Sequence, residues 1–125
     1  MKLQYIANGA QDTPLIRIYE FDAVQAHLLR KAVTALAAGT SNELRLHTLD
    51  GVESVGGCRL TCAVDKRDIG VTDDGGGYRC VLTRESWAQV AGLIEPFCDY
   101  AQPGTFQYLD QTSNITLVLT VDGGW

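Results

Sequence analysis

Long apolar runs are missing from this chain. The opening stretch, Met1-Lys2-Leu3-Gln4-Tyr5-Ile6, is broken by Asn8-Gly9, so it reaches neither the length of a secretory leader nor that of a bilayer span, and no later stretch does. Positive charge is scarce as well: ten Lys and Arg stand against fifteen Asp and Glu, a formal net charge of -5. That balance repels a phosphate backbone or an anionic membrane surface at long range. Neither nucleic acid nor membrane is therefore an expected partner, and the expected compartment is the cytoplasm. Only three prolines occur, and no low-complexity tract signals disorder. Reaction signatures are equally absent. There is no Gly-x-Ser-x-Gly elbow, and the pairs Gly56-Gly57 and Gly123-Gly124 do not sit between a strand and a helix at dinucleotide spacing. Asp73-Asp74-Gly75-Gly76-Gly77 lacks the Lys-Ser/Thr of a phosphate loop and the ligand series of a calcium loop, and reads as a reverse turn.

What is present is an ordinary globular composition. With 125 residues, 46% apolar and 20% charged, the chain can bury a core as one domain, 1–125, without disulfide staples. Its four cysteines, Cys58, Cys62, Cys80 and Cys98, all fall on core-facing positions of the pattern. Cys58 and Cys62 lie in an alternating segment, where four residues advance about 13 Å. A disulfide needs Cα atoms within about 7 Å and a shared zinc needs bonds of about 2.3 Å, so this pair neither bridges nor chelates. No metal and no cofactor is expected.

Periodicity divides the chain. Residues 2–6 and 15–21 read as a loose hairpin. At Asp22 the period changes: Val24, Leu28, Ala32 and Leu36, with Leu29 and Val33 beside them, form a helical face that Gly39 stops, and Asp22 with Gln25 has the form of a capping box. Leu44, Leu46 and Thr48 alternate with Glu43, Arg45 and His47 in a half-buried strand. In the next strand Cys58, Leu60, Cys62 and Val64 oppose Arg59, Thr61, Ala63 and Asp65. A break at residues 65–68 and the glycine turn at 73–77 lead to Tyr78, Cys80 and Leu82. A second helix starts near Thr83 or Ser86 and turns Trp87, Val90, Ala91, Ile94, Phe97, Cys98 and Ala101 inward, with a kink or break expected at Pro96. Residues 106–109 and 115–121 form a closing hairpin.

The order β(β)αβββαββ with hairpin-type links predicts an α+β fold: a single antiparallel sheet of about five to seven strands with two amphipathic helices on one face. The sheet face turned from the helices is the candidate interaction surface. Glu43, Arg45, His47, Arg59 and Thr61 belong to it, joined by Thr116, Val118 and Thr120 of the last strand. Mixed charge and β-branched residues on a flat face suit another protein, or a second copy of this one, better than a buried substrate. The expected function is thus that of a small non-enzymatic accessory, regulatory or immunity-like module. The rival is a small-ligand or enzymatic cleft at the sheet edge using Asp65, Asp68, His47 or Arg59. His27, Arg30, Lys31 and Thr34 make a small basic stripe on the outer side of the first helix, and Trp125 is either tucked onto the domain or free for a partner.

Overall fold

In the computed structural model, which describes residues 1–10 and 13–125, strands β1 (Lys2–Ala10) and β2 (Thr13–Tyr19) pair antiparallel. The turn of this expected hairpin lies outside the described residues. Helix α1 (Ala23–Ala38) starts at the predicted box: the Gln25 N–H donates to the Asp22 carboxylate and the Asp22 N–H donates to the Gln25 side chain. It ends at Gly39, whose φ of 80° suits a residue without Cβ. The buried stripe is Ala26, Leu29, Val33 and Leu36, while Val24 is 70% exposed and Leu28 also faces out. The expected ladder stepped four residues each time and drifted round a 3.6-residue period; alternating three- and four-residue steps stay on one face.

After α1 come β3 (Glu43–Arg45), β4 (Glu53–Ser54), β5 (Leu60–Val64), β6 (Gly70–Asp73) and β7 (Tyr78–Leu82). β3 is shorter than its alternation suggested, because Leu46–Thr48 winds into a 3-10 turn. Helix α2 (Arg84–Asp99) is capped by Thr83, whose hydroxyl accepts from the Ser86 N–H. Asp68 adds a second cap from outside the helix, accepting from the Thr83 N–H at 2.8 Å and the Ser86 hydroxyl at 2.7 Å. The helix runs unbroken through Pro96 to Asp99. Of the kink or break expected at Pro96, the break does not occur: Gly92, whose carbonyl loses its partner, is exposed with open space around it, so water can replace the missing N–H. Strands β8 (Phe106–Asp110) and β9 (Thr116–Thr120) form the expected antiparallel hairpin.

The fold is α+β, but the single antiparallel sheet is replaced by two mixed ones. A five-stranded sheet has the order β4-β1-β2-β9-β8 and a four-stranded sheet the order β3-β5-β7-β6. β2 pairs parallel with β9, and β5 parallel with β7. Alternation shows which side of a strand is apolar but not which strand it will meet, and hairpin reasoning favours sequence neighbours. The helices do not simply cover one face of one sheet. α1 leads from β2 to β3 and α2 leads back from β7 to β8, so each crosses between the sheets.

The start of α2 meets the end of α1, where Arg84 donates to the Leu36 carbonyl at 3.2 Å and opposes the helix dipole. Both helices and both sheets feed one apolar cluster, which includes Leu3, Ile18, Leu36, Leu60, Leu82, Trp87 and Leu119. Trp87 is buried with its indole N–H donating to the Ala63 carbonyl at 2.9 Å. Among the contacts that join the sheets are a ring stack and a hydrogen bond. The rings of Tyr5 and Tyr78 stack at 4.8 Å, and the Ser113 hydroxyl from the β8–β9 turn donates to the Val71 carbonyl at 2.7 Å. Gly70 makes this seam possible, for its φ is 83° and a Cβ there would lie 2.7 Å from the Ser113 nitrogen. Among the described residues no helix is long and apolar enough to cross a membrane.

Candidate functional site

The register of the four-stranded sheet sets the site. Arg45 lies opposite Thr61 on β5, and Thr61 lies beside Arg79 on β7. Side chains alternate across a strand, so these three share the outer face, while Leu44, Cys62 and Cys80 share the inner one. Glu43 is two residues from Arg45, and Arg59 two residues from Thr61, so both lie on the outer face too. Together with His47 they line an open depression of about 580 Å³, whose far wall is the β6–β7 turn with Asp74, Gly76 and Gly77. A Cβ on Gly77 would come within 3.0 Å of the Arg59 Cβ, so the bare glycine lets the turn close against β5.

Three arginines face two carboxylates here, a local surplus of positive charge on an acidic chain. Glu43 reaches Arg45 at 3.6 Å and Arg79 at 3.9 Å, close enough for attraction and too far for a hydrogen bond. Among the described residues Arg59 has no ion pair, and no side-chain hydrogen bond engages any of the three guanidinium groups. The Asp74 carboxylate is turned into its own loop, accepting from the Gly76 N–H. His47 is anchored through its Nδ1, which lies 3.2 Å from the Leu60 backbone nitrogen and 3.3 Å from the Leu60 carbonyl oxygen.

Thr116 and Thr120 are not part of this surface. They stand on β9 in the other sheet, where Thr120 is fully buried along with Val118. Residues 122–125 pack against the Thr120 end of β9. The Thr120 hydroxyl donates to the Gly124 carbonyl, Arg17 donates to the Gly123 carbonyl at 2.9 Å, and the Trp125 indole N–H donates to the Gly9 carbonyl at 3.1 Å. Trp125 is therefore tucked onto the domain, with its ring over the Arg17 guanidinium.

The chemistry of the rival reading is dispersed. Asp68 serves the start of α2, and donation from the Thr83 N–H and the Ser86 hydroxyl holds its carboxyl below the usual carboxylate range. Asp65 accepts from the next backbone N–H, on Lys66. Neither lines the depression that holds His47 and Arg59. All four cysteines are free thiols. Burial pushes Cys58 up to about 11 and Cys62 up to about 12, and it raises Cys80 and Cys98 as well. Among the described residues no three His, Cys, Asp or Glu side chains converge on a metal position.

Sequence reasoning missed Arg79, Asp74 and the glycines of the turn as part of this surface. The signal for Arg79 was available, since it alternates with Tyr78 and Cys80 as Arg59 does with Cys58 and Leu60; the missing knowledge was that β7 lies beside β5. In comparisons with protein-family models, with curated proteins and with solved structures, the chain finds no match.

Proposed function

We propose that the chain is a small cytoplasmic, non-enzymatic module that acts by docking another protein on the outer face of its four-stranded sheet, in an accessory, regulatory or immunity-like role. The observation that carries the reading is the openness of the depression together with its unengaged, mixed-charge lining. A small-molecule site encloses its ligand and fixes a few polar groups in advance. A protein interface instead offers a wide, shallow surface rich in arginine, whose side chains order on contact. A second copy of the chain is the homodimeric form of the same reading.

Thr61→Trp is the test, because a large ring at the centre of the floor blocks docking while leaving every charge in place. Affinity purification from the source cell with the wild type and this variant should show a protein retained by the first and absent from the second. Light scattering over a range of concentrations adds the self-association arm: a dimer that Thr61→Trp dissociates assigns the face to a second copy. Identical retained proteins and an unchanged oligomeric state in both would rule the face out.

A further inference from the structure

We infer that the depression receives an extended acidic segment of the docked protein, with carboxylates on alternate residues. The inference rests on the docking reading above and adds the chemistry of the partner.

The first observation is that the site already holds a carboxylate. Arg45 and Arg79 project from strands on either side of β5, about 10 Å apart at the backbone for two strand spacings of about 4.8 Å, yet both guanidinium groups turn toward Glu43. Its carboxylate sits beyond hydrogen-bond distance from each, and the Arg45 and Glu43 side chains are well exposed, so this arrangement contributes little to stability and yields at little cost. A partner carboxylate able to approach to bidentate distance takes the same two arginines more strongly than Glu43 does.

The second observation is the spacing of the remaining cation. Arg59 stands just before β5, where its carbonyl still accepts from the Tyr78 N–H at 2.8 Å, so at about 6.6 Å per two extended residues it lies one strand repeat from the row of Arg45, Thr61 and Arg79. Carboxylates on alternate residues of an extended chain have that same separation. One side chain then meets Arg45 and Arg79 over the Thr61 hydroxyl, and the next on the same side meets Arg59. Because the chain as a whole carries a net charge of -5, long-range attraction does not favour a polyanion; the recognition is local.

The test uses the full chain, labelled with nitrogen-15, and a short capped peptide of alternating Glu and Ser, with Gln/Ser, inorganic phosphate and a single-stranded oligonucleotide as comparison probes. The Glu/Ser peptide should shift the backbone amides of Thr61, Gly77 and Arg79 and the arginine Nε–H signals, and raised salt should abolish the effect. Arg59→Ala and Arg79→Ala should each weaken it about tenfold, the loss of one charge-assisted contact. Glu43→Gln, which removes the resident competitor, should tighten it several-fold, while Asp50→Asn outside the depression should not. Equal binding of the Glu and Gln peptides, shifts that map elsewhere, or a preference for phosphate or the oligonucleotide overturns the inference. If Thr61→Trp abolishes partner capture while Arg45→Ala/Arg79→Ala retains it, docking stands and the acidic segment fails. If neither variant changes capture, the docking reading fails first.

Discussion

On the five-stranded sheet, Arg17 commits every nitrogen it has. Its Nε and Nη2 donate to the Gln4 side chain at 3.0 and 2.7 Å, its Nη1 donates to the Gly123 carbonyl, and its flat face lies 3.8 Å from the centre of the Tyr19 ring. On the four-stranded sheet, among the described residues, the Arg45 and Arg79 guanidinium groups have only the loose attraction of Glu43 and that of Arg59 has no ion pair. The same residue type thus serves two ends. Where hydrogen bonds fix the guanidinium, it holds residues 122–125 against the Thr120 end of β9 and covers the face there. Where nothing fixes it, the face stays open and the cations remain available.

The comparison can be broken most severely at the seam between the sheets. Gly70→Ala places a Cβ against the Ser113 backbone and strains a left-handed residue, which should destabilise the fold by about 3 kcal/mol in urea unfolding. The same variant should speed thiol labelling of Cys62 and Cys80, the cysteines of the inner face of the four-stranded sheet. In the wild type they should react only on unfolding, since both thiols are buried and burial pushes Cys62 up to about 12 and Cys80 well above its usual value. Arg17→Ala comes next, with a loss of about 2 kcal/mol from charged hydrogen bonds and the ring contact. It should also release Trp125, seen as a change in its fluorescence.

A smaller effect is expected at Asp68. Its folded carboxyl is shifted down, so its contribution is present above the unfolded pKa and is lost as pH falls through the lower folded value. Asp68→Asn should therefore lower the melting temperature slightly at neutral pH and flatten the decline of stability below about pH 4. Arg59→Ala and Arg79→Ala should do least, within about 0.5 kcal/mol of wild type, because among the described residues neither guanidinium has a hydrogen bond to lose. A loss as large as that of Arg17→Ala would show that the two faces are not different in kind.

The parts of the fold legible in the sequence are those written by local chemistry. The Asp22–Gln25 box, the Gly39 stop, the inward face of α2 and the glycine turn before β7 all depend on residues within a few positions of one another. So does the outward side of each strand, which is why Glu43, Arg45, Arg59 and Thr61 were found together. The division into two sheets was not legible, because β2 meets β9 and β5 meets β7 through contacts that no local signal encodes. Thr116 and Thr120 carry the lesson. Alternation defines a side of β9, yet that side belongs to another sheet, and at Thr120 it is buried beneath the chain around Gly124.

The parallel pairing of β2 with β9 has a consequence in time. Leu15 meets Thr116, a partner about 100 residues further along the chain, whereas every strand of the four-stranded sheet lies within residues 43–82. At about 5–20 residues per second of synthesis, β2 waits several seconds for the strand that will complete its sheet. Through that interval an apolar strand containing Leu15, Ile16 and Ile18 has one bare edge, the kind of edge that pairs with the wrong chain. The β1–β2 hairpin, and not the arginine face, is where a newly made molecule is most exposed to mispairing.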